Sequence, residues 1–497
     1  MTFGKGRVGF QNPSEIIANI VDIIGAKGKL LVYSPGRGAG NLIASIAAQA
    51  GTDAGNAYLQ GVTEYSNYIP NFVAMRQSGA GLDWSISVGS EAGPWTGLMS
   101  QTLVFIGSIA SPALAIYPSF GLVTALDGTG TFIEAWIGPS GDTSGVTDFD
   151  LITAIYGAAV SLNVRLLVHY QPADYYWNSG VSIPNFCGLK GAFPVQSDTS
   201  SNYGIGSLAL SGTVIHAAGA FTSVTPPTQL LACENLTNTS QFGGQYIADF
   251  SMEGNVTKAG TGVVGCLLYG GVGAGVMENI SIHRFDGPNL RIQTDVASGK
   301  VPDQWRITRN VFSASRSSHG IQADNIPDSI FAYNLSHNNA LNGGDFSGSV
   351  NTSFGLNRWE NNAQNGVAFH GQVGAGEDTW INGDSSQLNQ LSGFLFDAAA
   401  HANQGQYLLT GCRSNADGQV GGAGITAGFY DNGCKSAVIC QGCTTIVNVT
   451  GPNYGAYVGS VAFGMALIGR RMFGNIANTH DDLTNVHALS DQVPIPF

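Results

Sequence analysis

Residues 309–320 read RNVFSASRSSHG, and three later stretches repeat this layout: YNLSHNNALNG at 333–343, LNRWENNAQNG at 356–366 and INGDSSQLNQLSG at 381–393. In each, an asparagine is followed nine to eleven residues later by a glycine. The asparagines stand 24, 23 and 25 residues apart, at Asn310, Asn334, Asn357 and Asn382. Self-similarity with a period of about 20 to 30 residues is typical of stacked coils. We therefore predict these asparagines in equivalent turns, where side-chain amides form ladders and asparagine tolerates left-handed backbone.

The composition of the 497-residue chain agrees with turn-rich β structure. Charged residues make up 11% of the chain and 69 residues are glycine, against usual shares of about 25% and roughly 7%. With 33 acidic and 20 basic residues, the formal net charge is -13. Such a surface does not neutralise phosphates, so we expect no nucleic-acid partner.

The seven cysteines indicate buried thiols rather than a disulfide framework, because Cys187, Cys233, Cys266 and Cys412 are widely separated. The remaining three cluster near residue 440, but a zinc site needs a fourth ligand at suitable spacing and none follows nearby. The glycine-rich GRGAGN at 36–41 lacks the Lys-Ser/Thr pair of a phosphate-binding loop, which favours a turn. We expect neither a metal nor another cofactor.

Two regions are predicted before the repeats. In residues 1–64, the stretch PSEIIANIVDIIG predicts a short helix capped by Ser14, with a broad apolar side. Residues 65–146 alternate polar and apolar positions between glycines, as in LDWSISVGS at 82–90 and TFIEAWIG at 131–138. This alternation favours a small antiparallel β-domain.

Residues 92–126 carry no charged side chain and are long enough to cross a membrane. They also contain Pro94, Pro112 and Pro118, and they lack flanking Lys or Arg. We therefore predict buried strands or a subunit interface there, and no membrane insertion.

Residues 148–160, DFDLITAIYGAAV, and 163–191, NVRLLVHYQPADYYWNSGVSIPNFCGLKG, give a helix, a strand, a tyrosine-rich strand, an Ile-Pro turn and a Leu-x-Gly close. This order resembles the start of pectate-lyase-like right-handed parallel β-helices. The resemblance implies a mainly β chain with a right-handed parallel β-helix over residues 147–450, its open end covered by the helix. Residues 451–497 would then form a C-terminal cap or a trimerisation segment.

Residues 29–65, KLLVYSPGRGAGNLIASIAAQAGTDAGNAYLQGVTEY, are similar to the N-terminal region of minor tail proteins of phages that infect actinobacteria. The resemblance implies a homotrimeric tail spike or minor tail protein located in the virion tail, with residues 1–64 as the N-terminal attachment segment. Its partners would be other phage tail proteins and a host cell-surface polysaccharide, which it would bind or cleave. The opening residues MTFGKGRVGFQNPSE lack the apolar core of a secretory signal, which agrees with this interpretation. A free polysaccharide lyase or hydrolase and a purely structural tail component are the alternatives.

One candidate site follows from stacking the predicted coils, which places His337 over Glu360, beside Arg358 and Trp359. Trp359 would offer an apolar face to a sugar, Arg358 and His337 would donate hydrogen bonds, and Glu360 would accept them or act in catalysis. Neighbouring residues of a strand point to opposite sides, so all four cooperate only in a turn conformation. Solvated turn residues are the alternative.

A second candidate site uses Asp324 and Asp345, which we predict at the ends of neighbouring coils. Together with Glu360 they are candidate catalytic carboxylates, since glycoside hydrolysis uses a carboxylate pair. His319, in SSHGI, is a further candidate sugar-binding residue. Polygalacturonase-like β-helices carry NTD, DD, GHG and RIK motifs, of which this chain has only the SSHGI fragment. No motif therefore establishes catalysis.

Overall fold

The computed structural model describes fourteen segments together with short strands between residues 30 and 137. The segments are 141–161, 165–170, 172–192, 212–218, 229–235, 243–254, 262–370, 378–397, 406–419, 426–434, 437–446, 454–459, 465–469 and 477–481. The chain divides into two compact units, one of residues 1–142 and 146–175, the other of residues 143–145 and 176–497.

The first unit contains a helix and eight strands among its described residues. They are α1 (Val146–Ser161), β1 (Leu30–Leu31), β2 (Phe72–Ser78), β3 (Asp83–Gly89), β4 (Leu103–Val104), β5 (Ala115–Ile116), β6 (Leu122–Ala125), β7 (Ile133–Ile137) and β8 (Leu166–Tyr170). Strand β2 pairs with β3, β4 with β5, and β6 with both β1 and β7, all antiparallel. Strand β8 is parallel to β7. The helix buries Ile152, Ile155 and Tyr156, at the spacing of one helical face.

The helix and strand predicted from residues 148–170 are confirmed, and so are strands within 82–90 and 131–138. The predicted helix from Ser14, the turn at 36–41 and most of the charge-free stretch 92–126 lie outside the described residues. In the described part of the chain, no helix has the length and apolar character that a membrane span requires.

Three parallel sheets build the second unit. The boundary between the two units falls within strand β9 (Asp174–Trp177). The first sheet contains β11 (Gly188–Lys190), β14 (Tyr246–Ala248), β17 (Val276–Glu278), β20 (Arg306–Thr308), β23 (Ile330–Ala332), β26 (Ser353–Gly355), β29 (Asp378–Asn382), β32 (Gln406–Thr410), β35 (Ala437–Gln441) and β38 (Met465–Ile468). The second contains β12 (Val214–Ala217), β15 (Ser251–Glu253), β18 (Ser281–His283), β21 (Val311–Ser313), β24 (Leu335–His337), β27 (Arg358–Glu360), β30 (Ser385–Gln387), β33 (Arg413–Asn415) and β36 (Thr444–Ile446). The third contains β10 (Val181–Ile183), β13 (Gln229–Asn235), β16 (Val264–Gly270), β19 (Leu290–Gln293), β22 (Ile321–Ala323), β25 (Gly344–Ser347), β28 (Val367–His370), β31 (Phe394–Asp397), β34 (Ala427–Asn432), β37 (Tyr454–Val458) and β39 (Ala477–Asp481).

From β11 to β37 the chain visits the first, second and third sheets in turn, so three consecutive strands make one coil. This is the arrangement of a parallel β-helix, as predicted. Strands β37, β38 and β39 continue the third and first sheets beyond residue 450. The right-handed sense, the domain boundaries and the trimer stay predictions.

Inside the coils, equivalent positions of successive strands stack their side chains. On the third sheet, the ring of Phe369 stacks on Phe346 at 5.7 Å and on Phe396 at 5.6 Å between centroids. On the first sheet, Phe331 and Phe354 stack at 5.1 Å. Parallel register places like residues over each other, so a few aromatic columns fill the core.

The predicted asparagine ladder is confirmed for three members and corrected at the fourth. At the turn between the first and second sheets, the amide of Asn310 donates to Asn334 at 3.1 Å, and that of Asn334 to Asn357 at 3.0 Å. Asn357 donates to Asp384, 27 residues later. Asn382 instead ends β29, where it pairs with Gly355. The coil before β30 is longer than the two coils that precede it, so equal spacing in sequence selected the wrong residue.

A second ladder, which the sequence did not predict, lies at the turn after the second sheet. Asn339 donates to Asn362 at 2.9 Å, Asn362 to Asn389 at 2.9 Å, and Asn389 to Asp417 at 2.8 Å. The glycines that close the repeats come directly before the third-sheet strands. A Cβ atom at Gly343 would lie 2.6 Å from both the Asn362 amide nitrogen and the Gly366 carbonyl oxygen. The packed ladder therefore requires glycine there.

The prediction of buried thiols is confirmed, since all seven cysteines are buried and none forms a disulfide bond. Within the described residues, no cluster of three or more His, Cys, Asp and Glu side chains is arranged to hold a metal ion.

Candidate functional site

The outer face of the second sheet carries a column of stacked polar residues, formed by the third residue of each second-sheet strand from β12 to β33. The structure confirms that His337 lies over Glu360, in register between β24 and β27. Arg358 donates from its Nε atom to Glu360 at 2.8 Å. The column reads His216, Glu253, His283, Ser313, His337, Glu360, Gln387 and Asn415.

Trp359 does not belong to this surface, which corrects the predicted sugar-stacking face. It is the middle residue of β27, so it points opposite to Arg358 and Glu360 and is 0% exposed. Its indole nitrogen donates to Asp384 at 3.1 Å. What remains outside is a shallow groove of about 240 Å³, lined by Arg358, Glu360, Ser385, Ser386, Gln387, Arg413 and Asn415.

A second group of charged and polar side chains, more closely connected than the column on the second sheet, lies on the outer face of the third sheet. We call it the Asp345 row, and its members are Arg291, His319, Asp324, Asp345, His370 and Asp397. At its centre, Nε2 of His370 lies 3.1 Å from Oδ2 of Asp345. The other ring nitrogen of His370 lies 3.8 Å from Oδ2 of Asp397, one strand further along.

The other end of the Asp345 row is formed by a guanidinium and a second histidine. Arg291 on β19 donates to both carboxylate oxygens of Asp324, at 2.7 and 2.6 Å. Nδ1 of His319 lies 3.7 Å from Oδ2 of Asp345, and the backbone N–H of Asn342 donates to that same Nδ1 at 3.2 Å. The amide of Asn342 also donates to Asp345 at 2.8 Å. The row therefore joins residues from five successive coils.

Strand alternation explains why these side chains meet. Phe346 and Phe369 point into the core, so Asp345 and His370, their neighbours in sequence, point outward. Asp345 pairs in register with Ala368. Because an alanine stands there, the ring of His370 can reach diagonally across to the Asp345 carboxylate.

The two histidines beside Asp345 differ in their pKa. Burial would lower the pKa of His370, but the hydrogen bond to Asp345 and the charges of Asp345 and Asp397 raise it above the ordinary value. Burial lowers the pKa of His319, and Asp345 opposes this only in part. The N–H that Nδ1 of His319 accepts from Asn342 agrees with a neutral ring.

The carboxyl groups of the row also differ. Burial would raise the pKa of Asp345, but the hydrogen bond from His370 and the charges of the two histidines lower it. Burial raises the pKa of Asp324, although Arg291 opposes the shift. The row thus combines a carboxylate, an imidazole whose pKa is raised and an imidazole whose pKa is lowered on one surface. Such a set can donate and accept hydrogen bonds and can exchange protons.

The structure brings together the predicted residues Asp324, Asp345 and His319, and separately His337, Arg358 and Glu360, but it does not join the two groups. Sequence reasoning missed His370, Asp397 and Arg291. A signal for His370 was present, since it follows Asp345 by 25 residues, close to the repeat length.

Several solved structures are similar to this chain at low identity. The A-module of the mannuronan C-5 epimerase AlgE6 of Azotobacter vinelandii aligns with a TM-score of 0.44 and 14% identity, over 69% of this chain and 96% of that one. PfbA, a surface adhesin of Streptococcus pneumoniae, aligns with a TM-score of 0.44 and 10% identity, over 68% and 91%. The N-terminal fragment of gene product 12 of bacteriophage Phi29 aligns with a TM-score of 0.40 and 13% identity, over 67% and 62%. No protein-family model and no curated protein sequence matches the chain.

Proposed function

We propose that the chain is a tail spike or minor tail protein of a phage and that its β-helix binds a host cell-surface polysaccharide at the Asp345 row. The observation that carries this proposal is the row itself, a line of hydrogen-bonding side chains that crosses successive coils on one outer face. The similarity of residues 29–65 to phage minor tail proteins supports a place in the virion tail.

The row suits a linear, hydroxylated ligand. Its side chains stay within reach of solvent, with His370 26% and Asp324 43% exposed. The third sheet repeats its strands every ~4.8 Å, so equivalent positions recur along the helix axis. A polysaccharide repeats its hydroxyl groups along its length in the same way, and polar groups at fixed positions give such a ligand its orientation.

A binding measurement tests the polysaccharide proposal. Envelope polysaccharides from a panel of actinobacteria are titrated with the purified full chain, and we expect saturable binding to at least one of them. Asp345→Asn and His370→Gln should each weaken that binding about tenfold, since each removes a charge-assisted hydrogen bond.

A matched control comes from the second sheet, where Nδ1 of His216 lies 3.4 Å from Glu253. His216→Gln removes a histidine–carboxylate contact of the same kind and should leave binding unchanged. Equal losses of affinity in Asp345→Asn, His370→Gln and His216→Gln would contradict the proposed site. So would a wild-type chain that binds none of the polysaccharides.

Cleavage of the bound polysaccharide is a second candidate function, favoured by the contact between an imidazole and a carboxylate, His370 and Asp345, at 3.1 Å. In such a pair the His370 imidazole can act as general acid and the Asp345 carboxylate as general base. Incubation with the bound polysaccharide should then release new reducing ends or unsaturated products, and Asp345→Asn should abolish this release even at polysaccharide concentrations that saturate its weakened binding. A wild-type chain that binds without releasing products is a binding protein only.

The place in the virion is tested separately. Antibodies raised against the chain should label the tails of intact particles in electron micrographs. Labelling of the host envelope alone would favour a free polysaccharide-acting enzyme.

A further inference from the structure

The Asp345 row continues, as an unbroken line of side chains, toward a cluster of tyrosines. Asn432 on β34 donates to Asp397 at 3.2 Å, and the hydroxyl of Tyr430 donates to Asn432 at 2.9 Å. Because His370 also contacts Asp397, hydrogen bonds and ion pairs link Asp345 to Tyr430. The line of connected polar side chains therefore extends beyond the Asp345 row, as far as Tyr430.

Register shows that this extension follows the helix axis. Asp345 pairs with Ala368, Ala368 with Leu395, and Leu395 with Tyr430. These are three strand steps on one outward-facing column, or about 14 Å at the usual strand spacing. A pyranose unit adds roughly the length of one strand step, so about three sugar units fit between the two residues.

The tyrosines at the far end are held in place by one another. Tyr430 is half-buried and pairs in register with Tyr457 on β37, whose ring meets it edge to face at 5.3 Å. Tyr454 packs against Tyr457 at 4.9 Å. Packing of this kind fixes the Tyr430 ring, and an aromatic face held rigidly is a suitable surface for a sugar ring.

The charges along this connected surface favour neutral sugar chains over polyanionic ones. Three carboxyl groups, those of Asp324, Asp345 and Asp397, stand against the Arg291 guanidinium and the His370 imidazole. The whole chain has a formal net charge of -13. A polyanionic glycan would meet repulsion along this surface, whereas neutral hydroxyls can donate to the carboxylates.

Building on the proposed polysaccharide binding, we propose that the site extends from Asp345 to Tyr430 and takes a neutral glycan chain laid along the helix axis, with one sugar stacked on Tyr430. The bound stretch is then several units long. Affinity depends on fragment length until the fragment spans both ends.

Calorimetric titration tests this with fragments of the polysaccharide that binds best in the panel, fractionated by size from disaccharides to octasaccharides. Wild-type affinity should rise with length and level off near four or five units. Tyr430→Ala should bind the long fragments about five- to tenfold more weakly, because the stacked ring is lost. Its affinity for disaccharides should equal that of the wild type. Tyr430→Phe keeps the ring and should keep the length dependence.

The matched control is Tyr246→Ala, on the first sheet. Tyr246 is also half-buried with its hydroxyl bonded to a neighbouring side chain, Glu278 at 2.8 Å. The Tyr246→Ala protein should bind fragments of every length as tightly as the wild type does.

Two results would overturn the extended site and leave the proposed function intact: wild-type affinity that no longer rises beyond the disaccharide, or a polyuronate of equal length bound as tightly as the neutral fragment. Neither depends on a variant. Failure of the wild-type chain to bind any polysaccharide of the panel overturns both proposals.

Discussion

Asn334 holds together three consecutive turns with a single side chain. Its amide donates to the Ile307 carbonyl at 2.8 Å and to Asn357 at 3.0 Å, while its oxygen accepts from the backbone and side chain of Asn310. The residue is 1% exposed, so no water replaces a lost partner. Burial of this kind makes a polar side chain costly to remove.

Replacing Asn334 with alanine should lower the free energy of unfolding by about 1–3 kcal/mol, the usual cost of leaving buried groups unsatisfied. Urea denaturation of the purified chain measures this. Asn382→Ala is the control, because Asn382 is exposed at the end of β29 and should cost under about 0.5 kcal/mol. Equal effects of the two substitutions would mean that the ladder does not stabilise the coils.

The raised pKa of His370 determines how the stability of the fold should change with pH. The raised pKa means that protonated His370 stabilises the fold below the ordinary value of 6.5, and that this contribution is lost as pH rises through the higher folded-state pKa. Asp345 stays ionised throughout, since its pKa is lowered below 3.8. Wild-type and His370→Gln proteins should therefore differ in urea midpoint at about pH 5.5 and converge near pH 9. A difference that grows toward high pH would contradict the assigned pairing.

At the scale of the coil, glycine and ladder depend on each other. A Cβ atom at Gly366 would meet the Ser386 hydroxyl, the Gly393 carbonyl and the Asn389 amide, all closer than normal contact. At Gly355, by contrast, the nearest atom would be a carbonyl oxygen at 3.9 Å. The two glycines belong to the same coil, Gly355 at the end of β26 and Gly366 directly before β28, but they differ in what surrounds them.

Gly366→Ala should destabilise the chain by about 1–3 kcal/mol, since it overpacks a rigid turn. Gly355→Ala should change stability by less than about 0.5 kcal/mol, because the space is open. Thermal melts of both variants measure the contrast. A Gly366→Ala protein that melts with the wild type would show that the second ladder can shift to make room.

The elements show which parts of the fold the sequence could predict. The asparagine period located the coils because equivalent turns need equivalent residues. It failed at Asp384, where a longer coil separates ladder members and a carboxylate replaces the amide. The second ladder was hidden because its members, Asn339, Asn362 and Asn389, lie among other polar residues of the same motifs.

The candidate site was less predictable than the coils, for a physical reason. The triplet Arg358-Trp359-Glu360 obeys strand alternation, so placing the large apolar residue inside would have excluded Trp359 from the surface. The contact between His370 and Asp345 is diagonal, and it depends on the reach of one ring past Ala368. Sequence spacing indicates which coils stack but does not give the reach of a side chain.

At the scale of the molecule, an apolar strip on the first sheet of the second unit bears on assembly. Ile330 is 42% and Trp380 38% exposed, and the two are aligned through Ser353. Tyr333 and Leu356 project beside them at 59% and 51%, both with left-handed backbone at a φ of 58°. Bulky residues rarely adopt that backbone, and exposed apolar residues grouped on one surface are typical of interaction sites.

We expect this strip to be covered by further copies of the chain in the proposed homotrimer. Light scattering of the wild-type protein should then give three times the 51.6 kDa chain mass, and Ile330→Asp combined with Trp380→Asp should shift it toward the monomer, since carboxylates would be buried at the contact. The control is Ile446→Asp, because Ile446 is exposed to a similar degree, 45%, but lies on the second sheet. A wild-type chain that stays monomeric at about micromolar concentration would contradict the trimer. A trimer that survives the double substitution would place the contact elsewhere on the chain, and the charge-free stretch 92–126 would be the next segment to substitute.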